Sequence, residues 1–584
     1  MRTASAALLA VAMIGCGAPD GAPYPVSTAA ATAKPAARSP RHPVVVALVV
    51  DQLPAWLAIE RWKTLPPAGG FARLVAESSG SAVLRYRHAH NATAMGHSAL
   101  FTGAVPRESG IVANGKLLEN GGYRSSLLDE TTKIVTDTGR GTRPSSSVAT
   151  LLVPTVADAL KASDPDALVI GISMKDRGAV FGAGRTPDAA LWFDAKSDAF
   201  VSSTVYFSGG RKEATPAWAA AFTHPGSGAR YRAKPWSPLD QAWLEARGAG
   251  TGDIGQGDFF HLGRAFPHDM AKADPAPNAF VATPFADTML VELAKAAIDH
   301  AKTQDRTTLL TVSLSATDYV GHVFGPDAPE AWDQMLRLDA QLSDLFRHLD
   351  GAFGTGGYAV ILSSDHGVPP TPEVMSARFC GKTGSDRFDR RCSTPVRLTE
   401  EQLAKAVEDA ADKAVGQGKW VRGGNEPYVE LEPAARALPE AERAKLMAAA
   451  LRALDDLPGV LRAIDVKSTP DVCPGLEDES LDALVCRSVR KDRPGDIFLV
   501  MEQGSFIDTG YVEGDGVNHG THWLFDRTVP ILARGPGARR PSEQKPFDPS
   551  LTVDHRAYAA TVAALLGIEP PAAAKGGAVL ASPR

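Results

Sequence analysis

The sequence has few cysteines and no long run of basic residues. Only five of its 584 residues are cysteine, and their spacing is too wide for the CxxC pairs of a zinc knuckle. The formal net charge is -6, and without a basic cluster this charge argues against nucleic acid as the main partner. The glycine-rich stretch at 248–258 lacks the Lys-Ser/Thr ending of a phosphate-binding P-loop, so we predict a loop there.

The apolar stretch at the N-terminus is too short to span a membrane. "MRTASAALLAVAMIGC" has an early arginine, a short apolar run and small residues before Cys16, as secretory signals do. Its end resembles a bacterial lipobox, which predicts a signal over 1–16 and a lipid on Cys16; an ordinary signal peptide cut near Ala18 or later is the alternative. Residues 17–42, rich in Ala, Pro, Ser and Gly, are predicted to be a flexible tether. We therefore expect export, to the bacterial periplasm or to the outer membrane as a lipoprotein.

The cysteines beyond Cys16 predict disulfide bonds. They are Cys380, Cys392, Cys473 and Cys486. An even number in an exported protein favours two disulfides. Three pairings are possible, and the two that join neighbours in sequence, Cys380–Cys392 and Cys473–Cys486, are the simplest.

Four apolar, β-branched runs predict buried parallel strands. They lie at 43–52, 167–176, 308–318 and 358–367, and helical segments separate them. Such an alternation is typical of an α/β sheet with right-handed crossovers. Each run ends in polar residues, and sites in these sheets form at the carboxyl ends of the strands.

The length allows three to four domains or one elaborated α/β domain. Residues 398–490 differ from their surroundings and predict a helix-strand-helix-strand pattern with one cysteine pair. We interpret them as a small α+β accessory insert. The catalytic core then covers 43–397 and continues over 491–584.

The polar residues at the predicted strand ends form a mixed carboxylate and imidazole set. They are Asp51, Asp318, His322, Asp365, His366 and His519. Taken singly, each has an ordinary explanation, such as a helix cap or a turn. Together they suit zinc, because thiolates are absent and imidazole argues against a calcium or magnesium cage. Six ligands suffice for two ions, which could clamp the oxygens of an in-line displacement at phosphorus.

The order of the motifs resembles the alkaline phosphatase superfamily, which includes alkaline phosphatases, nucleotide pyrophosphatase/phosphodiesterases and sulfatases. Asp51 is followed by "TAMGH", "DYVGH", "SDHG" and "HGTH". The resemblance implies a three-layer α/β/α sandwich with a mostly parallel central sheet. It also implies two Zn²⁺ ions, one held by Asp318, His322 and His519, the other by Asp51, Asp365, His366 and the Thr93 hydroxyl. The absence of Cys-x-Pro-x-Arg near position 93 argues against a formylglycine sulfatase.

Thr93 has three possible roles. It completes an Asn91-Ala92-Thr93 glycosylation sequon, it could cap the helix that follows, or it could be a nucleophile at that helix's N-terminus. The bacterial export signal argues against the sequon, and so does the crowding that a glycan would cause. The resemblance favours a nucleophile, since the phosphodiesterase and PafA-type alkaline phosphatase branches use threonine. His97, one helical turn on, is predicted to support the site, and His88 and His90 are predicted to be structural.

The reaction is predicted from Lys175 and Arg177, two residues apart at a strand end. Aimed at one phosphoryl group, such a pair favours the doubly charged monoester over the diester. The pair also resembles the Lys-x-Arg of PafA-type enzymes, and Asn114 resembles their phosphoryl-contacting asparagine. We therefore predict a zinc-dependent phosphate monoester hydrolase with a phosphothreonine intermediate, acting on small molecules and as a monomer. A phosphodiesterase or nucleotide pyrophosphatase, a phosphonate hydrolase and a ligand-binding lipoprotein on an inactive scaffold are the alternatives.

Overall fold

The computed structural model describes residues 42–118, 122–207, 214–247, 254–379, 395–536 and 549–580. The predicted signal and lipobox, the tether over 17–41, and Cys380 and Cys392 lie outside these ranges. Within them, no helix combines the length and apolar character needed to cross a membrane.

Helices and strands alternate along most of the described chain. The strands are β1 (Val44–Val50), β2 (Gly80–Arg85), β3 (Gly115–Leu117), β4 (Tyr123–Ser125), β5 (Leu128–Asp129), β6 (Ile134–Thr136), β7 (Gly139–Arg140), β8 (Ser145–Ser146), β9 (Leu168–Ser173), β10 (Ala189–Asp194), β11 (Ala199–Ser203), β12 (Thr308–Leu314), β13 (Ala359–Ser363), β14 (Arg397–Thr399), β15 (Val421–Asn425), β16 (Tyr428–Leu431), β17 (Val460–Asp465), β18 (Ile497–Met501), β19 (Phe506–Asp508), β20 (Thr528–Arg534) and β21 (Thr552–Asp554). The α-helices are α1 (Ala55–Arg61), α2 (Gly70–Glu77), α3 (Thr93–Thr102), α4 (Pro106–Ser109), α5 (Val156–Ser163), α6 (Asp176–Ala183), α7 (Ala220–Thr223), α8 (Gln241–Glu245), α9 (Ala276–Phe280), α10 (Pro284–Gln304), α11 (Ala316–Phe324), α12 (Pro329–Phe353), α13 (Pro372–Phe379), α14 (Glu400–Val415), α15 (Pro433–Arg436), α16 (Glu440–Asp455), α17 (Leu481–Ser488), α18 (Leu524–Arg527) and α19 (Arg556–Leu566).

The main sheet has eleven strands within the described residues. Their order is β21-β2-β20-β13-β1-β12-β9-β10-β11-β6-β7. The central strands β13, β1, β12, β9 and β10 run parallel, and antiparallel pairings flank them on both sides. All seven residues of β1 are buried, as expected of a strand covered on both faces. The predicted mostly parallel α/β sheet is confirmed for this central part.

Alternate residues of the central strands belong to two different apolar cores. On β1, Val46 and Leu48 pack with α10 and α12, whereas Val45 and Val49 pack with α3 and α19 on the opposite face. Side chains of a strand alternate between faces, so one continuous valine-rich run supplies both cores. The predicted three-layer α/β/α sandwich is confirmed.

The accessory insert forms a second, smaller sheet. Its antiparallel strands have the order β15-β16-β18-β17, and α14 and α16 pack against each other beside it. Strand β18, at Ile497–Met501, lies beyond residue 490, where the sequence analysis places the continued core. An apolar run of this kind fits either sheet, and only its pairing with β16 and β17 assigns it to the insert.

A disulfide closes a loop of the insert, and ion pairs from this loop connect the insert to the main sheet. Cys473 and Cys486 are bonded, with a Cα–Cα distance of 5.6 Å, which confirms that local pairing. Glu479, in the loop that this bond closes, accepts hydrogen bonds from Arg85 Nη1 at 3.0 Å and from Arg87. Arg85 ends β2, so the insert is fastened to an outer strand of the main sheet.

Candidate active site

The carboxyl ends of four central strands bring the predicted site residues together. Asp51 directly follows β1, Lys175 follows β9, Asp318 lies in the first turn of α11 after β12, and Asp365 follows β13. The side chains of all four are buried. Parallel strands end at a common edge, so residues far apart in sequence meet there.

Thr93 is the first residue of α3, a helix whose ten residues are all buried. The preceding Ala92 has no side chain that can cap the helix; instead, Asn114 Oδ1 accepts a hydrogen bond from the Ala94 amide at 2.9 Å. A Cβ on Gly96 would lie 2.0 Å from the Asp365 carbonyl oxygen, so glycine allows α3 to approach β13 closely. This approach leaves Thr93 Oγ1 3.5 Å from His366 Nε2.

One group of possible metal ligands is Asp318, His322 and His519. His322 lies one helical turn after Asp318 on α11, and its Nε2 is 3.2 Å from Asp318 Oδ1. His519 Nε2 lies 3.6 Å from the same oxygen. The Nδ1–H of His322 donates to the Val517 carbonyl at 2.8 Å, which leaves Nε2 as the ligand atom.

The second group surrounds His366. Its Nε2 lies 3.3 Å from Asp51 Oδ1 and 3.4 Å from Asp365 Oδ2, and its Nδ1 faces the Gly367 carbonyl at 3.1 Å. Asp318 Oδ1 is also 4.0 Å from His366 Nε2. Asp318 therefore lies between the two groups, whereas the sequence analysis assigns it to one of them.

The chemistry of these donors fits zinc. They are oxygen and nitrogen atoms with no thiolate among them. The ligand atoms of Asp318, His322 and His519 lie within 4.8 Å of one another, and so do those of Asp51, Asp318 and His366. Burial and the neighbouring charges of Asp318 and Asp365 raise the pKa of Asp51. Burial lowers the pKa of His519, so this imidazole is neutral and can donate a lone pair. Three buried carboxylates so close together call for cations between them.

Lys175 supplies one cation to this cluster. Its Nζ lies 2.7 Å from Asp51 Oδ2, 2.5 Å from Asp318 Oδ2 and 3.3 Å from Thr93 Oγ1.

Arg177 is placed differently from the prediction. Strand β9 ends at Ser173 and α6 begins at Asp176, so the two cations straddle a strand–helix junction and do not share a strand face. Arg177 Nη1 pairs with Asp176 Oδ1 at 3.1 Å.

A cavity of about 350 Å³ opens beside Thr93. Thr93, Asn114 and Arg177 line it on the side of the core, together with His322 and His519. The sequence analysis missed the rest of its lining, which is Tyr123, Ser125, Glu400, Asn425, Glu426, Thr509, Tyr511 and Asn518. Burial and the neighbouring Glu400 raise the pKa of Glu426 to about 8. The insert thus forms one wall of the cavity, through contacts that no local motif signals.

Two histidines near Thr93 support the site from outside it. His97 Nδ1 lies 3.0 Å from Asp365 Oδ2, and its Nε2 bonds Ser313 Oγ at 2.8 Å. His88 Nε2 bonds Asn91 Oδ1 at 3.0 Å. Asn91 is fully buried, which excludes glycosylation of the sequon in the folded protein.

Asp287, on α10, is a buried residue that the sequence analysis missed. Its Oδ1 accepts hydrogen bonds from the amides of Ser315 at 3.1 Å and Ala316 at 3.2 Å. These two amides lie at the N-terminus of α11, the helix that carries Asp318 and His322. The carboxylate therefore caps this helix from a distant part of the chain, which no local sequence pattern reveals.

Asp287→Asn is expected to change how stability depends on pH. Burial raises the pKa of Asp287 from 3.8 to about 7. The stability that this group contributes is therefore full below about pH 4 and is lost as the pH rises through about 7. Asparagine keeps an acceptor for the cap but cannot ionise. Urea unfolding of the metal-free protein measures the effect. The free energy of unfolding of the variant, relative to that of the wild type, should rise by up to about 4 kcal/mol between pH 4 and pH 8. A difference that stays constant with pH would contradict this.

Comparisons with known proteins identify the family. The model of the type I phosphodiesterase / nucleotide pyrophosphatase family matches residues 45–522. Alkaline phosphatase PafA of Elizabethkingia meningoseptica is 30% identical over 550 residues, covering 92% of this chain and 94% of that protein. Alkaline phosphatase PhoV of Synechococcus elongatus is 28% identical over 548 residues, covering 92% of both.

A solved structure agrees with these relatives. The crystal structure of wild-type PafA matches with a TM-score of 0.76 and 26% identity, over 93% of this chain and 99% of that chain. The resemblance inferred from the order of the motifs is thereby confirmed. The chain belongs to the type I phosphodiesterase / nucleotide pyrophosphatase family of the alkaline phosphatase superfamily.

Proposed function

We propose that this protein is a metal-dependent phosphate monoester hydrolase of the alkaline phosphatase type, with Thr93 as its nucleophile. The relatives named alkaline phosphatase cover nearly the whole chain. The observation that carries the proposal is the position of the Thr93 hydroxyl. It lies at a helix N-terminus, 3.3 Å from Lys175 Nζ and 3.5 Å from His366 Nε2, and it lines the cavity.

Two zinc ions would be held by the two groups of ligands. Asp318, His322 and His519 would bind one, and Asp51, Asp365 and His366, with the Thr93 hydroxyl, would bind the other. When bound, zinc supplies Lewis acidity that lowers the pKa of a hydroxyl and offsets charge on oxygen. Asp318, which lies between the groups, would influence both.

Thr93 acts as the nucleophile, and other residues of the chain contact the phosphoryl oxygens. Thr93 Oγ1 forms the bond to phosphorus as the ester P–O bond breaks, and the phosphothreonine is then hydrolysed by water. The Asn114 amide, its Oδ1 occupied by the Ala94 N–H, can donate from Nδ2 to a phosphoryl oxygen. Lys175, Arg177 and the N-terminus of α3 would stabilise the other equatorial oxygens.

The positive charges favour monoesters over diesters. A monoester carries about one more negative charge, so it gains more from two nearby cations. The alternative is a phosphodiesterase or nucleotide pyrophosphatase, which would need a second organic group beside Thr93. We propose broad specificity for small phosphate monoesters, in keeping with a site built around the phosphoryl group. A substrate panel in which one metabolite is strongly preferred would refute broad specificity.

The Lys175→Ala and Arg177→Ala variants test the choice of substrate. Each is expected to lower kcat/KM for an aryl phosphate by about 10- to 100-fold, the cost of a charge-assisted hydrogen bond. The loss for the matching bis-aryl phosphate should be smaller, because that substrate has less charge to stabilise. Lys161→Ala, which removes a cation paired with Asp188 away from the cavity, is the control. A native preference for the diester, unchanged in Lys175→Ala, would favour the diesterase.

We also propose that the protein is exported. The Cys473–Cys486 disulfide fits an oxidising compartment. Lipid attachment at Cys16 would anchor the protein in the outer membrane, and mass spectrometry of the N-terminal peptide distinguishes it from simple signal cleavage.

A further inference from the structure

Gln52 has a backbone conformation that its residue type disfavours. It directly follows Asp51, is 1% exposed, and has φ of 61°, in the left-handed region. Residues with a Cβ rarely occupy this region, and glycine would adopt it without strain. A glutamine kept there at an energetic cost points to a role for its side chain.

The contacts of Gln52 connect three of the proposed ligands. Its backbone N–H donates to Asp365 Oδ1 at 3.2 Å, and its side-chain Nε2 donates to Asp318 Oδ1 at 2.9 Å. Peptide linkage joins it to Asp51. One residue thus touches carboxylates that come from the ends of three different strands.

A glycine on α11 makes room for this side chain. A Cβ on Gly321 would lie 1.9 Å from Gln52 Oε1, too close for any real contact. Gly321 lies between Asp318 and His322 on the same helix. The helix that supplies two proposed ligands is therefore shaped around the Gln52 amide, an observation independent of the hydrogen bonds.

We infer that Gln52 is a positioning residue that fixes the Asp318 carboxylate relative to Asp51 and Asp365. This inference rests on the two-metal site of the proposed function. A neutral amide suits the task, because it satisfies a carboxylate oxygen without adding a positive charge that would oppose zinc binding. Partners that orient metal ligands in this way typically change metal affinity by about 10- to 100-fold when they are removed.

Gln52→Gly separates this role from a purely structural one. Glycine relieves the backbone conformation but removes the donor to Asp318, so the melting temperature of the metal-free protein should stay the same or rise. Zinc affinity, measured by competition with a chromogenic chelator, should fall by about 10- to 100-fold. Gly321→Ala, which displaces the Gln52 amide from the other side, should also weaken zinc binding.

Asp305→Gly is the matched control. Asp305 also has a left-handed φ, of 47°, but it is exposed and ends α10 at the opposite edge of the sheet. This variant should leave zinc affinity unchanged. If Gln52→Gly binds zinc as tightly as the wild type, the inference is wrong while the proposed function stands. If the wild type itself binds no zinc, the proposed function fails and the inference fails with it.

Discussion

The Thr93→Ala variant is expected to lose phosphate monoester hydrolysis by roughly 10⁵-fold or more, as enzymes do when a covalent nucleophile is removed. The Thr93 hydroxyl lies at the junction of the Lys175 ammonium and the His366 imidazole. Without it, no oxygen of the chain at this position can form the bond to phosphorus. Steady-state kcat/KM with an aryl phosphate measures the loss.

The variant should nevertheless fold and bind zinc. Asn114, and not Thr93, caps α3, so removing the hydroxyl leaves the Ala94 amide satisfied. Thr93→Ser is the matched control, because it keeps a hydroxyl and should retain much of the activity. Acid quenching during turnover, followed by mass spectrometry, should find phosphate on residue 93 in the wild type and in Thr93→Ser. Substantial turnover by a correctly folded Thr93→Ala variant would exclude this residue as the nucleophile.

Removing the metal is expected to abolish activity, and adding zinc should restore it.

The Asp318→Asn variant is expected to weaken metal binding more than the loss of a ligand that belongs to one group only. The Asp318 carboxylate lies near His322, His519 and His366, so one substitution weakens both groups of ligands. The variant should bind fewer than two zinc ions per chain and lose activity by about 10³-fold or more.

His519→Ala provides the comparison for Asp318→Asn. His519 belongs to one group only, so its loss should spare one of the two ions. Elemental analysis of dialysed protein gives the zinc content of each variant. Two ions retained in Asp318→Asn would show that this carboxylate is not shared, and a metal-free wild type that remains active would contradict zinc-dependent catalysis.

The strand ends could be located from the sequence because their chemistry is local. A valine-rich run buried on both faces has few alternatives to a central parallel strand, as β1 shows. Once four such strands are aligned, the residues that follow them must meet at one edge. The convergence of Asp51, Asp318 and Asp365 follows from this geometry.

The rest of the site depends on long-range contacts with no local signal. Asp287 caps a helix that begins 29 residues later in the chain, and Gln52 reaches Asp318 across 266 residues. The sequence predicts Arg177 on a strand, but β9 ends at Ser173 and Arg177 lies in the first turn of α6, from which it lines the cavity. These positions follow from packing of separate elements, which periodicity and spacing cannot specify.

The position of β20 in the sheet has a consequence for when the protein can become active. This strand, at Thr528–Arg534, lies between β2 and β13, which both precede it in the chain by more than a hundred residues. A nascent chain that has not yet reached residue 519 therefore has no completed main sheet, and it also lacks His519. The main sheet and the full set of proposed ligands can assemble only after β20 has been synthesised, so the order of synthesis delays phosphatase activity.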